Sequence, residues 1–318
     1  MAKQQTKCIT SIGGQALIEG IMMRGPQKTV VASRLPDKTI DTEDMNIVPL
    51  KNKCKILGWP LIRGITGLVE SLMIGYKALG ISAEKAGVDE EAKPSKFDEW
   101  CNRVFGDKLM PIIMGIAMFF GIMIAIGLFF FLPVVSFNGI KALAGGNPAL
   151  EPWRSTIEGA IRILIFMLYL IFISVIPSVK RMFQYHGAEH KTIFCYENQE
   201  ELTVENVRKY KRFHPRCGTS FMVLMLVVGI VVGFFIPFQQ PVLRTVCKLL
   251  CMPICVSLGY ELIRLCGRCD NVFTRIIAAP GMWMQRITTK EPDDSMIEVA
   301  IAAIKEVIPE NGEDLVRK

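Results

Sequence analysis

Three histidines are all that the 318-residue chain contains, and they lie between positions 186 and 214. Two belong to His186-Gly187-Ala188-Glu189-His190. On a helix, residues four apart share a face, so His186 and His190 are spaced as two ligands of one metal ion need to be. Glu189 borders that face, where a carboxylate can serve as base to a metal-activated water. The pattern is the inverted zincin arrangement, His-x-x-Glu-His. The third histidine opens His214-Pro215-Arg216-Cys217-Gly218-Thr219-Ser220.

Two donor sets are open. His186, His190, His214 and Cys217 would make a closed four-ligand set, which is the structural kind. His186, His190 and Glu261 would leave a fourth position for water, with Glu189 as base. Glu261 has a plainer use, an ion pair with Arg264 or Arg268 at a helix end. Zinc or another divalent metal is the cofactor expected. Cys266 and Cys269 form a Cys-x-x-Cys with no second pair to complete a zinc site, and read as plain thiols.

Gly13-Gly14-Gln15-Ala16-Leu17-Ile18-Glu19-Gly20-Ile21-Met22-Met23-Arg24-Gly25-Pro26 has glycines enough to approach a phosphate. It lacks Gly-Lys-Ser/Thr and the dinucleotide spacing, so a P-loop is excluded. It reads as a tight glycine-shaped turn that tucks Ile18, Met22 and Met23 into apolar surroundings. Glu19 and Arg24 are then an ion pair or a partner contact.

The elements that must position these groups are mostly apolar. Hydrophobic residues make up 51% of the chain and charged residues 21%, with a mean hydropathy of +0.34. Such a chain is not disordered, and its bunched apolar runs point to membrane spans. A net charge of +7 without a polybasic tail argues against DNA binding. No secretory signal is read at the N-terminus, and the ten cysteines are expected as reduced thiols or ligands.

A span needs about 20 apolar residues. Leu109–Val135, Ile163–Val179, Ser220–Pro237 and Pro241–Leu262 qualify, the last requiring Arg244 and Lys248 to snorkel. Lys180–Thr219 carries eight Lys/Arg. The positive-inside rule therefore puts that loop and both termini in the bacterial cytoplasm. The expected fold is a mainly α membrane protein with about four transmembrane helices and a small cytoplasmic α+β part. Its regions are 1–108, 109–262 and 263–318.

Within the first region, Val30–Arg34 and Thr39–Val48 flank Pro36-Asp37-Lys38 as a β-hairpin. A helix over 56–83 repeats Arg63, Glu70, Lys77 and Glu84 every seven residues. That is one polar stripe on an apolar helix, suited to the membrane surface or to a fifth span. Phe273–Thr288 reads as interfacial. Asp293-Asp294 opens a last helix whose apolar face is Ile297, Ala300, Ile301, Ile304 and Ile308.

The run Gly13–Pro26, the 186–190 motif, His214–Phe221, Pro280-Gly281-Met282-Trp283 and Thr288–Asp294 resemble the YqhQ-like family of bacterial membrane proteins. The resemblance covers nearly the whole chain in the family's order. It implies a domain of unknown function once described as a predicted metal-dependent enzyme. Its relatives are often encoded near translation-termination and ribosomal-protein genes.

Two functions follow as expectations. One is a metal-binding accessory or scaffold factor in the membrane. Its basic loop 180–216 (Lys180, Arg181, Arg208, Lys209, Lys211, Arg212 and Arg216) would meet anionic lipid, the ribosome or the translocon. The other is a membrane zinc-dependent hydrolase, protease-like, with Glu189 as general base. A transporter is disfavoured because the spans show almost no buried ionisable residue.

Overall fold

The computed structural model describes residues 8–50, 54–87, 109–268, 271–309 and 314–317. Cys269, half of the Cys-x-x-Cys, lies outside them. The chain divides into two compact units, one of Met1–Asp89, Leu170–Leu224 and Val256–Lys318, the other of Glu90–Tyr169 and Met225–Cys255.

The first unit is built on an antiparallel meander of β2 (Gly13–Leu17), β3 (Gly20–Arg24), β4 (Thr29–Arg34) and β5 (Ile40–Asp44). The expected hairpin is therefore the β4–β5 half of a larger sheet. The glycine-rich stretch forms the β2–β3 half, with Leu17 opposite Gly20. Strand alternation sorts the side chains. Ile21, Met23, Val30 and Ala32 face one core with Tyr185, Ala188, Met296, Ile297, Ala300 and Ile304. Met22 and Val31 face the other with Leu17, Met45, Ile74 and Ala78. With both faces covered, the central strands read as near-continuous apolar runs rather than as alternating ones.

Helix α1 (Ile62–Lys85) supplies Ile74 and Ala78 to the second core. A separate ribbon pairs β1 (Cys8–Thr10) with β6 (Leu315–Arg317), so the two ends of the described chain are hydrogen-bonded to each other.

Helix α2 (Leu109–Ile126) runs through a π turn at Gly127–Phe131 into α3 (Leu132–Leu143). A 3₁₀ turn then leads into α4 (Arg154–Ile173). Gly115–Leu143 and Pro148–Ile173 are each long and apolar enough to cross a membrane. The second stops at Ile173 rather than at the expected Val179. The residue before a proline is held extended, and Ile176 before Pro177 has ψ 125°. Lys180 and Arg181 thus belong to the next helix, α5 (Pro177–Glu197).

After the short α6 (Val204–Arg208), α7 (Gly218–Gly233) has 16 residues. That is about 24 Å, short of a hydrocarbon core of about 30 Å. Helices α8 (Pro241–Leu250) and α9 (Met252–Arg268) meet at a 46° bend. They make a third span only if taken as one. Helices α10 (Val272–Thr288) and α11 (Asp294–Val307) complete the chain, α11 starting where Asp293 accepts the Met296 N–H at 3.0 Å.

The apolar helices are not free of buried charge. Glu158 on α4 is fully buried and accepts Arg244 Nε at 2.9 and 3.0 Å as well as Lys248 Nζ. Arg244 and Lys248 therefore turn inward to a carboxylate rather than snorkelling, which corrects the expectation of spans almost without buried ionisable groups.

Candidate metal centre

His186 and His190 lie one turn apart on α5, with ring centroids 4.4 Å apart. Each ring is pinned through Nδ1. His186 donates to the Thr288 carbonyl at 2.8 Å, and His190 donates to the Arg212 carbonyl at 2.5 Å. A carbonyl only accepts, so both Nδ1 atoms carry the proton and both Nε2 lone pairs are left to bind. Metal-ligating histidines are oriented in this way by a group outside the ligand set.

Cys217, from the turn before α7, places its Sγ 3.1 Å from His186 Nε2. The three donor atoms lie within 4.8 Å of one another. Thr219 donates to Cys217 Sγ from its backbone N–H at 3.5 Å and from its hydroxyl at 3.2 Å. Burial alone would raise the Cys217 thiol, but its contacts with His190 and with the Thr219 donors bring it below its ordinary value. Burial, reinforced by His186, holds His190 down at about 4, so its ring is neutral near pH 7. The neutral His190 ring and the acidified Cys217 thiol are in the protonation states that zinc binding favours. The donors fit a divalent metal with two nitrogens and one sulfur.

Glu189 is buried beside this group. Its Oε1 accepts the Gly14 N–H at 3.1 Å, whereas Oε2 has no hydrogen-bond partner. Burial pushes its carboxyl up to about 7, with Cys217 adding to the rise and His186 and Gly14 opposing it. Gly14 makes this approach possible: a Cβ there would stand 2.7 Å from the Met22 carbonyl and 3.0 Å from Glu189 Cδ.

Two expected ligands stand apart from the cluster. His214 is packed on His190, with centroids 5.6 Å apart, but its Nδ1 accepts the Arg216 N–H at 3.3 Å and its Nε2 faces Glu197 at 3.5 Å. Glu261, on α9, receives Arg63 Nε at 2.7 Å and Arg63 Nη2 at 2.5 Å. Its ion pair is with Arg63 on α1. The geometry thus draws together His186, His190 and Cys217, and neither His214 nor Glu261.

Residues that sequence reasoning missed hold the centre in place. Buried Gln285 accepts the His214 N–H at 2.7 Å and donates to the His214 carbonyl at 2.7 Å, clamping the turn that carries Cys217. Thr288 acts through its main chain. Neither has a local sequence signal, because Gln285 acts on a backbone 71 residues away and the Thr288 carbonyl on a side chain 102 residues away.

Glu19 and Arg24 do not pair with each other. Glu19 accepts Arg181 at 2.5 Å and the Tyr185 hydroxyl at 3.2 Å, while Arg24 pairs with Glu70. Four of the seven cations expected on the basic loop are likewise held internally. Arg181 is on Glu19, Arg208 on Asp294, Arg212 on Glu291 and Arg216 on Glu197.

Residues 59–310, which include every donor of the cluster, match the family described as Protein of unknown function (DUF1385). The chain belongs to this family. It is also 32% identical over 301 residues to the Uncharacterized protein YqhQ of Bacillus subtilis (strain 168), across 93% of this chain and 92% of that one. No solved structure matches it. The DUF1385 match begins after the four-stranded sheet, so Gly14, which donates to Glu189, lies outside the matched stretch while Glu189 lies inside it.

Proposed function

We propose that this DUF1385 member is a multi-pass protein of the bacterial cytoplasmic membrane that holds zinc or another divalent ion for hydrolytic chemistry. His186, His190 and Cys217 are the ligands. The observation that carries this reading is the convergence of two oriented Nε2 atoms and an acidified Sγ beside a buried carboxylate with one unpartnered oxygen. Three protein donors leave a position open, as catalytic sites do, whereas structural zinc sites are closed by four. Bound zinc supplies Lewis acidity that brings the pKa of water near 7. Glu189 is the base: Gly14 fixes Oε1, and Oε2 is free to take a proton from water and return it to a leaving group. The apolar helices and the cation-rich 180–219 segment support membrane placement with both ends in the cytoplasm.

A second reading, a metal-stapled accessory factor working beside the ribosome or translocon, has one observation in its favour. The donors join α5 to the turn before α7, and their anchors reach α10 through Thr288. Elemental mass spectrometry on detergent-purified protein tests the shared core. We expect about one equivalent of metal in the wild type, lost in His186→Ala/His190→Ala and strongly reduced in Cys217→Ser. Metal-free, well-folded wild type would sink both readings. Glu189→Gln separates them: it keeps the metal in either case but fails to complement a deletion strain only if the site is catalytic.

A further inference from the structure

The second unit contains a polar cluster that the metal reading does not use. Glu158 is shared by Arg244 and Lys248, and Arg154 Nη1 stands 3.9 Å from it. Glu151 is taken by Lys141 and by Arg154 Nε, the latter at 3.2 Å. Arg162, one turn beyond Glu158 on the same face of α4, is only 7% exposed. Among the described residues no carboxylate lies within ion-pair distance of it.

Arg162 instead donates Nε to the Phe129 carbonyl at 2.8 Å and packs over the Phe130 ring at 4.9 Å. Both partners belong to the π turn of Gly127–Phe131, an irregularity that recurs at functional sites. Five cations therefore face two carboxylates. Arginine does not shed its charge in a protein, so the surplus cannot be removed by deprotonating Arg162. Buried charge in an apolar bundle needs a counter-charge.

The unused donors indicate what that counter-charge is. Arg244 is saturated by Glu158, Ser155 and the carbonyls of Gly233, Ile236 and Phe238. Arg162 has used one of five N–H donors, and Lys248 one of three. Two cations with several donors each, around a surplus of positive charge, match a phosphate group, which a guanidinium can grip through two oxygens. Arg162 and Lys248 themselves lie two turns inside the starts of α4 and α8, which begin at Arg154 and Pro241.

We infer that Arg162 and Lys248 bind a phosphate group, carried by an anionic phospholipid or free in solution. The lipid source rests on the membrane placement proposed above; the site itself does not. The test uses the detergent-purified full chain, by native mass spectrometry and thermal unfolding, with phosphatidylglycerol, phosphatidylcholine and inorganic phosphate as probes. The expected result is one phosphatidylglycerol retained in preference to phosphatidylcholine, with a raised unfolding temperature. Binding should fall about tenfold in Arg162→Gln, the loss of one charge-assisted contact, and less in Arg162→Lys.

Phosphate stabilising the protein where the lipid does not would keep the site and make free phosphate its source, against the membrane source. If no probe binds the wild type, the inference fails, whether or not the variants fold. It fails equally if Arg162→Gln binds as wild type does. Metal content at the histidine cluster is read in the same samples and should be unchanged by Arg162→Gln, so failure here is distinguishable from failure of the metal reading.

Discussion

Glu197 is 2% exposed and sits among His214, Arg216 and the Thr10 N–H, which reaches it at 3.0 Å. Burial by itself would raise its carboxyl, but the His214 hydrogen bond and the Arg216 charge outweigh burial and leave it below its ordinary value. A depressed carboxylate stabilises the fold above its unfolded pKa, and that contribution is lost as pH falls through the folded value. Glu197→Gln should therefore cost roughly 3 kcal/mol at pH 7, the scale for breaking a buried pair. At acid pH the deficit should shrink as wild-type Glu197 protonates on passing through its lowered folded value. Chemical denaturation at both pH values measures this, and a deficit that does not change with pH would contradict the assignment. At this scale the chemistry was half legible. The His-x-x-Glu-His spacing and Cys217 announce themselves, because helical periodicity brings the two histidines to one face. The diversion of His214 to Glu197 and of Glu261 to Arg63 depends on where side chains turn in three dimensions, and no spacing encodes that.

Helix α5 orients its ligand His186 only because it lies hard against the segment after α10. The contact is at Gly187, where a Cβ would meet the Lys290 carbonyl at 2.0 Å, and the Lys290 N–H donates to the Phe183 carbonyl at 2.7 Å. Gly187→Ala must push the two apart, moving the Thr288 carbonyl that orients His186. The expected cost is roughly 1–3 kcal/mol, as for overpacking, with weaker metal retention. An alanine variant that keeps wild-type stability and metal would show that the contact does not matter. Gly187 sits inside the motif, yet nothing in the sequence distinguished its packing role from a free position. The same blindness affected β2 and β3. Four glycines in fourteen residues argue for a turn on propensity, but the close approach of Gly20 to Ala32 and of Gly25 to Val307 is what lets the strands and α11 pack. The last helix was legible because Asp293 caps it and its apolar residues recur at helical spacing.

The whole molecule draws its first unit from three separated stretches of chain, and the far ends are joined by the β1–β6 ribbon. Asp314 adds side-chain links to Thr10 and to the Tyr196 hydroxyl, the latter at 2.9 Å. Deleting residues 313–318 should therefore destabilise that unit by a few kcal/mol, since each orphaned buried polar group costs roughly 1–3 kcal/mol. Thermal unfolding would register the change, and an unaltered transition would mean the ribbon contributes nothing. The apolar helices were recognisable by length and composition, whereas the cluster around Glu158 was missed because its charges were counted helix by helix. Its members lie 86 and 90 residues apart and neutralise one another only after the helices meet.

The β1–β6 ribbon also sets an order of events during synthesis. Strand β1 finds its partner only after Leu315–Arg317 has been made. By then both helices of membrane length must already have been made. The sheet and α5 exist earlier as polypeptide, but α11, which closes one face of the sheet, comes after them all. A contact that spans the chain from end to end is closed last and slowly. Assembly of the histidine–cysteine centre, whose anchor at Thr288 lies 102 residues beyond His186, therefore follows the synthesis of α10.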